Sequence, residues 1–157
     1  MSKIEPFTPE RTVEIVAEHA DQEGALLPVL HALQHAFGHV PDAAVPIVAG
    51  ALNLSRAEVH GVVTFYHDFR HAPAGRRVLK LCRAEACQAR GGDAVAAEAE
   101  QKLGVAIGGT TSDNRVTLEA IYCLGLCASG PAAMLDDRLV GRIDSQRLGA
   151  LIAEAQS

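Results

Sequence analysis

The fold of this chain is decided by residues 79–87, which read Leu-Lys-Leu-Cys-Arg-Ala-Glu-Ala-Cys. The run alternates apolar and charged residues, as a half-buried strand does, and then ends in a C-x4-C pair, Cys82 and Cys87. A second strand-like run, Ala-Ile-Tyr, leads directly into a C-x3-C pair, Cys123 and Cys127. If the two strands are neighbours in one sheet, both loops leave the same edge. The sequence then predicts that four thiols converge there.

The cellular compartment decides how these cysteines are interpreted. The first residues lack the apolar stretch of a secretory signal peptide, and no apolar run approaches the ~20 residues that a membrane span needs. We therefore expect a cytoplasmic chain with no direct membrane insertion, in which thiols stay reduced. In such a compartment, paired cysteines more often hold a metal or carry out redox chemistry than form disulfides.

Three occupants compete for the predicted cysteine site. Structural zinc usually prefers C-x2-C knuckles, and a thioredoxin-type dithiol requires C-x-x-C, so neither matches the spacing found here. A [2Fe–2S] cluster is larger than one ion and tolerates wider spacing between its ligands. A fourth interpretation is that the cysteines are small buried hydrophobic residues, because free cysteine is often interior. The spacing favours the cluster and leaves zinc, a dithiol and simple burial open.

Glycines and arginines accompany the cysteine pairs. Gly125 lies inside the second pair and Gly130 follows it, where glycine lets the backbone curl around sulfur and direct amides towards it. Arg83 and Arg90 flank the first pair and could add positive charge, although exposed arginines on loops are usually only solvated.

The first half of the chain predicts four short helices that form a small bundle over residues 1–72. Thr8 is expected to cap the first helix and Asp42 the third, while Ser55 and Glu58 form a capping box at the start of the fourth. The second helix is expected to stop at Gly38. The expected apolar faces are Val13, Val16 and Ala17 in the first helix, Leu26, Leu30, Leu33 and Phe37 in the second, and Val59, Val62, Val63 and Tyr66 in the fourth.

Residues 73–157 are predicted to form a second domain, in which strands and helices follow the order β-α-β-β-β-α. The expected elements are strands at residues 77–81 and 116–122, a helix at residues 93–103, a hairpin at residues 132–143 that turns at Asp136 and Asp137, and a last helix capped by Asp144 or Ser145. The predicted fold class is α+β, with a helical bundle followed by a sheet covered by helices.

Composition and motifs exclude several other functions. The net charge is −5 and the basic residues are scattered, which argues against a nucleic-acid partner. No nucleotide-binding glycine motif and no nucleophile–base arrangement stands out, so we expect no catalytic residues. Three histidines are spaced by four residues, His31, His35 and His39. We expect them to lie at the solvent-exposed edge of the second helix rather than to bind a metal.

On these motifs, the whole chain resembles the thioredoxin-like [2Fe–2S] ferredoxin subunits of respiratory complex I and its relatives. Residues 61–66, Gly-Val-Val-Thr-Phe-Tyr, followed by Phe69, are similar to a G-V-x-T-F-Y-x-x-F segment of that family. Residues 82–87 and 123–127 match its two ligand loops, and Gly-Pro-Ala at residues 130–132 matches the segment directly after the second loop. The resemblance implies a thioredoxin-like domain that holds one [2Fe–2S] cluster on the four cysteines.

Within that family, the sequences of both loops look most like those of the small subunits of soluble NAD-dependent formate dehydrogenases. The resemblance implies a non-catalytic electron-transfer subunit. Its partners would be a subunit that binds FMN and NAD and a molybdenum- or tungsten-dependent subunit that oxidises formate. Complex I or an NAD-reducing hydrogenase are the alternative hosts, and a zinc-stapled interaction module is the alternative function. The implied docking helices offer Val63, Phe65, Tyr66 and Phe69 as contacts, although ordinary core packing is the favoured role for any single one of them.

Overall fold

The computed structural model of this chain describes residues 4–157, and its first three residues, where the predicted amino-terminal domain begins, lie outside the described residues. The chain divides into two compact units, the first ending at Pro73 and the second beginning at Ala74. Each unit has its own apolar core.

The first unit is helical, with a short 3₁₀ turn at Asp42–Ala44 between its second and third α-helices. Its α-helices are α1 (Pro9–His19), α2 (Leu26–Phe37), α3 (Val45–Ala51) and α4 (Arg56–Phe65). Helix α1 packs against α2 and α3, and α3 packs against α4. The side chains that form the centre of this core are Val29, Leu30, Leu33, Phe37, Val48 and Val59.

Most of the predicted helix boundaries in this unit are confirmed. The Arg11 amide donates to Thr8 Oγ1 at 3.1 Å. At α4, the Glu58 amide donates to Ser55 Oγ at 3.2 Å and the Ser55 amide donates to Glu58 Oε2 at 2.8 Å, which completes the capping box. Helix α2 ends at Gly38 with φ of 75°, a left-handed conformation that glycine adopts without steric cost.

The expected cap at Asp42 is wrong. Asp42 begins the 3₁₀ turn instead, and the amide of Val45, the first residue of α3, donates to the Asp42 carbonyl. No side chain caps α3, because the preceding turn already provides a backbone partner for its first amide.

The expected apolar face of α1 is right at Val16 and wrong at Val13 and Ala17. Val13 is 55% exposed and Ala17 is exposed, whereas Thr12, Ile15 and Val16 are buried. Apolar residues at 13, 15, 16 and 17 allow two overlapping faces, and packing against α2 and α3 selects the one that includes Thr12. The buried Thr12 hydroxyl donates to the Thr8 carbonyl at 3.0 Å, so its burial leaves no hydrogen bond unmade.

The second unit contains the predicted β-α-β-β-β-α order with one added short α-helix and a 3₁₀ turn at Cys127–Ser129. Its elements are β1 (Arg77–Cys82), α5 (Glu85–Gln88), α6 (Gly92–Leu103), β2 (Val116–Ile121), β3 (Ala133–Leu135), β4 (Arg138–Val140) and α7 (Ser145–Gln156). Asp144 caps α7 by accepting the Arg147 amide at 2.8 Å. Among the helices of residues 4–157, none is both long and apolar enough to cross a bilayer.

The four strands form one sheet in the order β2-β1-β3-β4. Strands β1 and β2 run parallel and Cys82 pairs with Ile121, while β3 runs antiparallel to β1. Leu79 and Leu81 belong to the core that α6 and α7 contribute to, whereas Lys80 alternates away from them and forms an ion pair with Glu119 at 3.6 Å.

Candidate metal centre

The parallel pairing of β1 and β2 explains why the cysteine loops meet. Cys82 is the last residue of β1, and Cys123 follows the end of β2 by two positions. Because neighbouring parallel strands end at the same edge of a sheet, both loops leave the sheet side by side. The backbone ties their roots together, since the Cys82 amide donates to the Ala132 carbonyl at 2.9 Å and the Arg83 amide donates to the Ile121 carbonyl at 2.8 Å.

The four cysteines are free thiols arranged as two pairs. Cys82 and Cys87 are 4% and 2% exposed. Cys123 and Cys127 are exposed, and their sulfur atoms lie 3.8 Å apart. The site therefore has a buried inner pair and an outer pair at the surface.

The sulfurs of the two pairs lie close enough to influence each other's ionisation. Burial raises the pKa of Cys87, and the neighbouring Cys82 sulfur raises it further. The hydrogen bond to Cys123 and the negative charge of that thiolate raise the pKa of Cys127. Four thiolates in one place would repel each other, and a bound cationic centre would favour their deprotonated forms.

Backbone amides partly offset this repulsion. Burial alone would raise the pKa of Cys82, but the amides of Ala84, Cys123 and Leu124 donate towards its sulfur, and the net effect is a lowered pKa. The Gly125 amide donates to Cys123 Sγ at 3.5 Å. Gly125 has φ of 75°, and the prediction that it curls the backbone towards sulfur is confirmed.

Cys123 itself has φ of 81°, which is uncommon for a residue with a side chain. Such a conformation costs on the order of 1–2 kcal/mol. It aims the Cys123 sulfur towards Cys127 and leaves the amide of Cys123 pointing to Cys82. Strain of this kind concentrates at functional sites, where the surrounding structure holds the residue in place.

Four thiols in two pairs are a donor set that a [2Fe–2S] cluster uses. In such a cluster each iron takes two cysteine ligands, and backbone amides directed to the sulfur atoms stabilise it. The two converging pairs, with amides directed to the sulfurs of Cys82 and Cys123, fit this cluster.

The other sequence candidates are divided by burial. Val63 and Phe69 are 3% and 4% exposed and belong to the core, so they are wrong as partner contacts. Phe65 and Tyr66 are 73% and 43% exposed. They line a groove of about 530 Å³ together with Leu26, Leu54, Glu58, Gly61 and Val62.

The three spaced histidines do not form a metal site among the described residues. His31 stacks near Phe69, with ring centres 4.9 Å apart. His39 lies beyond the end of α2, and its ring is hydrogen-bonded to the Phe37 carbonyl at 3.0 Å. His31 and His35 are exposed on α2, as expected, whereas His39 is half-buried.

Two residues that support the site, Arg90 and Gly92, have functions the sequence did not reveal. Arg90 Nε donates to the Gly130 carbonyl at 3.1 Å. A Cβ atom at Gly92 would lie 2.7 Å from the Cys87 carbonyl oxygen, so only glycine fits there. The Gly-Gly pair at residues 91–92, directly after a cysteine pair, was the signal for such close packing, although no sequence pattern links Arg90 to Gly130.

Comparison with known proteins identifies the family. The model of the family described as thioredoxin-like [2Fe-2S] ferredoxin matches residues 12–156. The chain belongs to this family. Membership confirms the α+β fold with its thioredoxin-like ferredoxin domain and the [2Fe–2S] cluster as the family's cofactor.

Two curated relatives are subunits of larger oxidoreductases. One is a subunit of the NADH-quinone oxidoreductase of Pseudomonas aeruginosa, and it is 34% identical over 134 residues, which are 85% of this chain and 81% of that protein. The other is the HndA subunit of the NADP-reducing hydrogenase of Solidesulfovibrio fructosivorans. It is 31% identical over 142 residues, which are 90% of this chain and 83% of that protein.

A solved structure extends the comparison. The crystal structure of an NAD+-reducing [NiFe]-hydrogenase in its air-oxidized state aligns with a TM-score of 0.67 and 27% identity. The alignment covers 81% of this chain and 22% of the hydrogenase chain. This chain therefore corresponds to one module of a much longer polypeptide there.

Proposed function

We propose that this chain is a [2Fe–2S] electron-transfer subunit of an NAD-linked oxidoreductase complex, with Cys82, Cys87, Cys123 and Cys127 as the ligands. The observation that carries the proposal is the meeting of two thiol pairs at one edge of the sheet in a member of this ferredoxin family. The cluster accepts and donates one electron at a time. The chain's own residues bind it, orient it and limit its contact with water.

The two pairs have different tasks in this proposal. Cys82 and Cys87 anchor the cluster among the apolar side chains around Ala132. Cys123 and Cys127 hold its outer side at the surface, next to Tyr122, which is 70% exposed. A partner protein can therefore approach the outer pair closely, which short electron-transfer distances require.

The partner chemistry comes from neighbouring subunits. The relatives are named as subunits of NADH- and NADP-linked enzymes, which supports a neighbouring subunit that binds both NAD and the flavin FMN. The fused arrangement suggested by the hydrogenase alignment supports direct association with such a neighbour. The second unit, beginning at Ala74, is then the cluster-binding domain, and the first unit is the docking domain.

The groove beside α4 is the proposed docking surface. Phe65 and Tyr66 are exposed at the end of α4, and the centres of their rings lie 5.0 Å apart. Exposed aromatic side chains around an apolar groove are typical of protein–protein contacts. Both belong to the segment at residues 61–69 that resembles the family, and they are its aromatic residues that lie outside the core.

The proposed host is a cytoplasmic NAD-dependent formate dehydrogenase, with a molybdenum- or tungsten-dependent subunit that oxidises formate. The support is the sequence of the two cysteine loops, which resembles that of the small subunits of such enzymes. The loops read Cys-Arg-Ala-Glu-Ala-Cys-Gln at residues 82–88 and Tyr-Cys-Leu-Gly-Leu-Cys-Ala at residues 122–128. The two curated relatives instead belong to a quinone-linked enzyme and a hydrogenase, and these remain the competing hosts.

An affinity tag on the chromosomal copy of this chain tests the host directly. We expect anaerobic purification to recover a flavin-containing subunit and a subunit with molybdenum or tungsten, with formate-dependent reduction of NAD. Recovery of nickel and hydrogen-dependent reduction of NAD, or of membrane subunits and quinone reduction, would replace the formate host. Recovery of the chain alone, without iron, would refute the electron-transfer proposal itself.

A further inference from the structure

A single arginine side chain connects the tips of the two cysteine loops. Arg90 follows Cys87 by three residues, and its Nε donates to the carbonyl of Gly130, 40 residues further along the chain, at 3.1 Å. Gly130 is buried and follows Cys127 by three residues. The bond therefore joins the loop of one thiol pair to the loop of the other.

Both ends of this bond are fixed to a cysteine by short backbone contacts. The Arg90 amide donates to the Cys87 carbonyl at 3.2 Å, and the Gly130 amide donates to the Cys127 carbonyl at 3.4 Å. A displacement of either arginine or glycine is thus passed to the neighbouring cysteine through one turn of backbone.

The packing around Gly130 leaves little freedom for the two loops to slide. A Cβ atom at Gly130 would lie 3.3 Å from Cys87 Sγ and 3.5 Å from Arg90 Cδ. The same atom would lie 3.5 Å from the Cys127 carbonyl oxygen. The arginine side chain, the inner sulfur and the backbone of the outer pair all meet at this one glycine.

We propose that Arg90 is a positioning residue, whose hydrogen bond to Gly130 sets the distance between the inner and outer thiol pairs. The inference rests on the proposed cluster site. Backbone bonds at Cys82 and Arg83 already hold the roots of the loops, so Arg90 acts at the tips, where Cys87 and Cys127 lie. A guanidinium group suits this task because its donors have a fixed planar geometry and its charge strengthens the bond to a carbonyl.

Cluster retention and the spectrum of the retained cluster test this role. The full chain, wild type and variants, is loaded with iron and sulfide under anaerobic conditions. The rate of cluster loss to an iron chelator and the visible circular dichroism are then measured. We expect Arg90→Gln to lose its cluster about tenfold faster, as the loss of one hydrogen bond to a charged group implies, and to change the dichroism of the remaining cluster. Arg90→Lys, which keeps the charge and one donor, should fall between the two.

Arg76→Gln is the matched control, because it removes the same charge from an exposed residue just before β1, at the opposite end of that strand from Cys82. It should match the wild type in both measurements. A wild-type rate and spectrum in Arg90→Gln would overturn the inference, as would a faster rate with an unchanged spectrum, which indicates general destabilisation only. If Arg90→Gln does not fold, Arg90→Lys decides: faster loss with changed dichroism supports the role, and a wild-type rate or an unchanged spectrum overturns it. Failure of the wild-type chain to take up a cluster would instead refute the proposed function.

Discussion

Gly92 offers a sharp test of how the inner thiol pair is held. It is the first residue of α6 and lies against the backbone of Cys87. A Cβ atom there would be 2.7 Å from the Cys87 carbonyl oxygen and 2.9 Å from its carbonyl carbon, whereas ordinary contacts begin near 3.4 Å. These neighbours are backbone atoms, so they cannot rotate away, and Gly92→Ala must displace Cys87 or α6.

The magnitude follows from two opposing effects. Overpacking of this kind costs about 1–3 kcal/mol. Replacing glycine in a helix returns at most about 1 kcal/mol, and less at a first helical position. We expect the free energy of unfolding to fall by about 1–2 kcal/mol. Each kcal/mol lowers the Tm of a unit of this size by about 4–8 °C. Because a displacement of Cys87 moves one of the proposed cluster ligands, the variant should also retain less cluster.

The assay compares Gly92→Ala with Gly149→Ala in α7 of the same unit. A Cβ atom at Gly149 would meet only the flexible end of Lys102, at 3.4 Å, so that variant should be stabilised by about 0.5–1 kcal/mol. Iron content per chain and thermal unfolding are measured for both. Wild-type iron content and Tm in Gly92→Ala would refute the packing argument. Equal losses in the two variants would show that the assay reports helix perturbation rather than contact with Cys87.

Three further predictions concern the first unit. Ser55→Ala should lower the free energy of unfolding of this unit by about 1 kcal/mol, measured by urea denaturation, and leave the iron content unchanged. The hydrogen bonds from Ser55 lower the pKa of Glu58, so the carboxylate stabilises the folded state above its usual pKa. This contribution should disappear as the pH falls through the lowered pKa, and the wild type should therefore lose more stability on acidification than Ser55→Ala. Phe65→Ser should change the free energy of unfolding by less than about 0.5 kcal/mol, yet it should reduce recovery of the flavin-containing subunit. Val63→Ala should instead lower the free energy of unfolding by about 1–3 kcal/mol, because the Val63 side chain is buried.

Local sequence signals predicted the elements of the fold well. The capping box at Ser55, the stop at Gly38 and the hairpin turn at Asp136 are set by contacts within a few residues, and the structure contains all three. The placement of the cysteines at strand ends predicted their convergence, since it needed only the assumption that β1 and β2 are parallel neighbours.

Burial within a single run of residues could not be predicted in the same way. Val63 and Phe65 are two positions apart on α4, yet one is in the core and the other is 73% exposed. The apolar pattern of α1 likewise allowed two faces, and only packing against α2 and α3 chose between them. Which apolar residues are left for a partner is therefore a property of the tertiary structure.

The supporting contacts of the metal centre are long-range in sequence. Arg90 and Gly130 are 40 residues apart, and each looks like an ordinary loop residue in its own segment. Their bond exists because the parallel strands bring the two loops together. Sequence reasoning could name the four thiols, but not the side chain that joins their loops.

The most direct test of the central proposal is the iron and acid-labile sulfide content of the anaerobically purified chain, combined with the electron paramagnetic resonance spectrum after reduction. We expect two iron and two sulfide per chain and a rhombic signal from one reduced [2Fe–2S] cluster, as this cluster type requires. Serine substitution at any of Cys82, Cys87, Cys123 or Cys127 should reduce the iron content. One zinc per chain, without iron, sulfide or a signal, would contradict the proposal.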